Sequence, residues 1–120
     1  MKIIPICIAL FAVLCVCIFI NAGFINSCSA FLENTAEELT DSTRRESALA
    51  ELESFWDKNR NFMSISIPDD ELDKTESIII CLRCAYEEKN EYEFEKYRAE
   101  LKNAADSISR KERFSADNLF

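Results

Sequence analysis

The chain has 120 residues, with 14 basic and 22 acidic side chains, no histidine and a net charge of −8. Without histidine there is no Ser-His-Asp or Cys-His nucleophile system, and the acidic balance argues against nucleic acid or anionic lipid headgroups as partners. One glycine and two prolines leave little material for β-hairpins, while the abundance of Glu, Ala, Leu, Lys and Arg points to an all-α fold.

The run from Ile3 to Ile25 carries no charge. At 1.5 Å per residue, Ile3 to Ile20 covers about 27 Å and the run to Ile25 about 34 Å, enough for a bilayer core of about 30 Å. Of the basic side chains only Lys2 precedes it, whereas Glu33, Glu37 and Glu38 follow. The positive-inside rule then puts the N-terminus in the cytoplasm and the rest of the chain outside the cell membrane. The expected division is an N-terminal membrane anchor over 1–28 and an acidic extracytoplasmic helical domain over 29–120. The apolar run exceeds a signal-peptide core, which favours an uncleaved anchor. Two alternatives stay open, cleavage after Ala30 and lipidation at Cys28. The stretch Ile25-Asn26-Ser27-Cys28 loosely matches a lipobox, with Asn26 a poor fit.

Thr35-Ala36-Glu37-Glu38 and Thr43-Arg44-Arg45-Glu46 both match the capping-box pattern, so the chain either continues as one long helix or breaks briefly near Asp41. Ala48/Leu49, Leu52, Phe55/Trp56 and Phe62/Met63 recur at helical spacing and define a first amphipathic helix ending around Arg60 to Phe62. Pro68 disfavours helix for Ile67, and the acids after it suit the first turn of a second helix over about 70–89. Leu72, Thr75, Ile79, Leu82 and Tyr86 share one face of it, widened by Ile78 and Ala85, which makes it the central helix. Asn90 is a plausible cap for a third, with Phe94, Tyr97, Leu101, Ala104/Ala105 and Ile108 as its stripe to about Ser109. The tail from Arg110 to Phe120 is expected to fold back. The product is an N-terminal transmembrane helix followed by a small antiparallel bundle of about three helices.

Cys81-Leu82-Arg83-Cys84 is the one pair that looks like a site. Redox-active CxxC cysteines sit at helix N-termini, whereas this pair falls mid-helix, and four zinc ligands are hard to find without histidine. The plain reading is packing on a helix flank; a subunit contact, an interchain disulfide or a metal- or redox-responsive sensor are the alternatives. Cys7, Cys15 and Cys17 are read as lipid-facing or helix-packing residues of the span. Asp69-Asp70-Glu71-Leu72-Asp73 invites calcium but lacks the glycine turn and ligand spacing of an EF-hand, so the helix dipole explains it. Glu87, Glu88, Glu91, Glu93 and Glu95 read as a solvated face, and Phe55 with Trp56 as core. No cofactor and no small-molecule substrate are expected.

The span, the Leu52…Phe55-Trp56 helix, the Asp70-Glu71-Leu72-Asp73 opening and the tail Phe114-Ser115-Ala116-Asp117-Asn118-Leu119-Phe120 together resemble a family of small single-span membrane proteins of Gram-positive bacteria, defined by a domain of unknown function. That resemblance implies a membrane-anchored helical domain and supplies no activity. The family tends to carry a histidine where Asp69 stands here, which leans against an enzyme. The expected function is therefore a non-enzymatic module that binds a protein partner or itself. Its expected interaction surface is Ile80, Cys81 and Cys84, which lie off the core stripe.

Overall fold

A computed structural model describes residues 3–119, with side chains described as far as Arg110. Four helices follow one another: α1 (Ile3–Glu38), α2 (Arg45–Met63), α3 (Asp69–Glu87) and α4 (Glu91–Leu119). Short turns join them, so each runs antiparallel to the one before. α2 packs on α1, α3 on α2, α4 on α3, and α4 closes the ring against α1. The molecule measures 68 × 22 × 21 Å because α1 projects far beyond the other three.

α1 has two characters along one unbroken helix. From Ile3 to Ile20 its large apolar side chains other than Ile18 are exposed. Further along, Ile25, Cys28, Ser29, Leu32, Thr35, Ala36 and Leu39 are buried, and Cys15, Ile18 and Ala22 are partly covered ahead of them. Cys15, Ile18, Ala22, Ile25, Ser29, Leu32, Ala36 and Leu39 alternate steps of three and four, the spacing of a seam between two packed helices. The bundle of the expected helices thus gains a fourth member from the second half of α1. The junction expected at residue 28 falls within this helix, where Cys28 is already buried. Ser29 is small enough to let α4 approach, and its hydroxyl donates to the Ala105 carbonyl at 2.7 Å.

The stripes expected on the other helices form the core. Ala48, Leu49, Leu52, Trp56 and Met63 are buried on α2; Leu72, Thr75, Ile78, Ile79, Leu82 and Ala85 on α3; Phe94, Leu101, Ala104, Ala105 and Ile108 on α4. Fully burying an apolar side chain of this size stabilises by about 1.5–3 kcal/mol, so the seams outweigh local propensity in fixing the register. Trp56 is core, as expected, and its indole N–H donates to Glu76 at 3.3 Å.

Three details depart from expectation. Thr35 is interior to α1, and Thr43 does not cap α2, whose first turn follows Arg44 without a side-chain cap. The chain does break near Asp41, one of the two courses expected there, and the Asp41 carboxylate accepts from both the Thr43 amide (3.0 Å) and hydroxyl (2.7 Å). These bonds hold the Asp41 carboxyl below its usual range. Finally, α4 does not stop at Ser109 with the tail folding back; it continues as helix to Leu119. No glycine or proline interrupts that segment, so nothing local ends it.

Candidate interaction surfaces

Ile80, Cys81 and Cys84 lie on the outer side of α3. Ile80 is 57% exposed and lines a crevice between α2 and α3 with Glu53, Trp56, Asp57, Glu76 and Ile79. The floor of that crevice is apolar and its rim is acidic. Cys84 is exposed, whereas Cys81 is half-buried and turned toward α4. There it interacts with Tyr97, whose phenol is held above its ordinary pKa mainly by its hydrogen bond and charge coupling to Cys81. Both thiols are free. The two cysteines therefore diverge, one to solvent and one to a helix seam, and among the described residues no cluster of acidic, cysteine or histidine side chains is arranged to hold a metal ion. Asp69 and Asp70 are exposed in the first turn of α3, and Asp73 is bound to Arg60 at 2.5 Å.

Arginines tie the bundle around these faces. Arg83 reaches from α3 to Glu53 (2.5 Å) and Glu46 (3.1 Å) on α2, which holds its guanidinium firmly protonated. Arg45 closes the far end: its Nε donates to the Leu39 carbonyl at 3.0 Å and its guanidinium lies 4.3 Å from the centre of the Phe94 ring. It also pairs with Glu91 at 2.6 Å. Lys102 joins α4 to Glu37 of α1 at 2.7 Å, raising the Lys102 pKa and lowering that of Glu37.

The largest apolar surface is elsewhere. α1 is long and apolar enough to cross a membrane. Where it meets the bundle, Cys17, Ile20, Asn21 and Phe24 of α1 form a crevice with Phe62 at the end of α2 and Ile65 in the following turn. Phe24 and Phe62 meet edge to face at 6.3 Å, and the Asn21 amide donates to the Ser66 hydroxyl. Sequence reasoning did not single out this surface. Its signal was Ile65, an isoleucine in a Ser-Ile-Ser-Ile turn, but its meaning depends on knowing that the α2–α3 turn lies at the α1 end of the bundle.

No family model, curated protein or solved structure matches the chain.

Proposed function

We propose that this is a single-pass membrane protein whose helical bundle stands outside the cytoplasm and works by contact with a protein partner rather than by catalysis. The observation that carries this is the change of character along α1. The same helix exposes apolar side chains from Ile3 to Ile20 and is built into a water-soluble core from Ile25 onward. Apolar surface of that extent is costly in water and needs a cover, which a bilayer supplies.

Burial supports an uncleaved α1. Cleavage after Ala30 removes Ile25, Cys28 and Ser29 from the core, and lipidation needs at the surface a Cys28 that is buried, at 2% exposure. Lys2 on one flank and Glu33, Glu37 and Glu38 on the other support a cytoplasmic N-terminus. On the bundle, exposed Ile80 in its acidic-rimmed crevice supports a partner that offers an apolar side chain among basic ones.

Protease treatment of intact and lysed cells tests placement. The expected result is digestion of the bundle in intact cells, with the chain resisting alkaline extraction from membranes. Protection in intact cells reverses the topology, and extraction removes the anchor. Cross-linking from membranes tests the partner: Ile80→Asp is expected to abolish a cross-linked species without lowering helicity. The rival reading, a metal- or redox-responsive sensor at Cys81 and Cys84, rests on the free thiols and the Cys81–Tyr97 coupling. Quick and equal labelling of both thiols in native and metal-stripped protein counts against it.

A further inference from the structure

We propose that the α1-side end of the bundle is a membrane seat, in which Phe62 and Ile65 insert among the lipid acyl chains beside the span. The inference rests on the anchored reading above and adds a second, separate contact with the same bilayer.

A hydrocarbon core of about 30 Å takes about 20 residues of helix, which counted from Ile3 ends near Ala22. The hydrogen bond from Asn21 to Ser66 fixes the α2–α3 turn at that same height. No linker separates span from bundle, since α1 is unbroken from Ile3 to Glu38. The turn therefore cannot stand off from the surface. At this level Phe62 is 61% and Ile65 78% exposed, and their crevice is continuous with Cys17 and Ile20 of the span.

α4 runs antiparallel to α1 and is registered to it by the Ser29–Ala105 hydrogen bond. Tyr92, by contrast, is 79% exposed at the start of α4, at the end of the bundle remote from the span.

The test uses the full chain reconstituted into phosphatidylcholine vesicles, with and without lipids brominated in the acyl chains. Ile65→Trp and Tyr92→Trp each add an indole at an exposed position, over the common background of the buried Trp56. Equal helicity of the two variants establishes that both fold. The expected result is that bromolipid removes several-fold more of the added emission from Ile65→Trp than from Tyr92→Trp. If both are quenched equally little while the chain resists an alkaline wash, the seat is overturned and the anchor stands. If the chain washes off the vesicles, seat and anchor fall together.

Discussion

Lys89 sits in the left-handed region at φ 57°. It ends α3, where the Lys89 amide donates to the Tyr86 carbonyl (3.1 Å) and the Asn90 amide reaches back to Ala85 (3.0 Å). That is the paired pattern of a helix end that favours glycine, and a side chain in this conformation costs about 1–2 kcal/mol. Asn90 then turns the chain into α4, its side-chain oxygen accepting from the Glu93 amide at 3.1 Å, as its sequence suggested. Lys89→Gly is expected to stabilise the bundle by about 0.5–1 kcal/mol, after the added freedom of glycine in the unfolded chain is deducted. Chemical denaturation in detergent reads the difference directly. Cys28 gives a second measurement at this scale. Burial pushes its thiol from an ordinary 9.0 up to about 11. Below about pH 9 the group is neutral folded and unfolded, and contributes no pH dependence. Between the two values the unfolded chain releases the proton that the folded chain retains, so stability falls as pH rises through that window. Comparing the native chain with Cys28→Ala isolates the effect: the stability gap between them should narrow from pH 9 to pH 11.

At the scale of the element, α3 offers a contrast between close neighbours. Leu82 is fully buried, while Ile80, two positions earlier, projects into the crevice rim. Leu82→Ala should cost about 2–5 kcal/mol through lost burial and a cavity, whereas Ile80→Ala should stay within about 0.5 kcal/mol. Thermal melts of the two variants check the register of the helix. The stripes of α2, α3 and α4 were legible because polar residues separate the apolar ones, so a period near 3.6 stands out, and because Pro68 and Asn90 punctuate the chain. The second half of α1 was not legible in the same way. Its seam of Ile25, Cys28, Ser29, Leu32, Thr35 and Ala36 follows directly on a segment that is apolar all round, and uniform hydrophobicity has no period. Ser29 and Thr35 also read as surface residues until a helix such as α4 is known to approach them. The extension of α4 was hidden for the opposite reason, since positions 109–113 carry no apolar side chain to continue the stripe. At the candidate surface, the sequence located Ile80 and Cys84 on the outside of α3. It could not separate Cys81 from Cys84, because their different neighbours come from α4.

For the whole molecule, the sharing of α1 between span and core makes a demand on where the chain can be cut. A chain starting at Asn21 retains all the buried residues of the bundle, from Ile25 to Ile108. A chain starting at Phe31 loses Ile25, Cys28 and Ser29, and with them the donor to the Ala105 carbonyl. The first is expected to fold as a four-helix bundle in solution. The second is expected to be less stable by at least the cost of emptying one core isoleucine site, about 2–5 kcal/mol. Circular dichroism melts of the two shortened chains decide this.

The unbroken helix also fixes geometry at a distance. A flexible tether of about 20 residues lets a domain wander over about 25 Å; α1 allows no such excursion. Ile80 lies eleven residues along α3 from its start at Asp69. On the anchored reading that places it at a set height, about 16 Å above the level of the α2–α3 turn. A partner held in the same bilayer with a matching face at that height meets it by lateral diffusion alone. Any rotation of α1 about its axis turns the crevice by the same angle, so on the anchored reading the azimuth of a contact there would be set by the span.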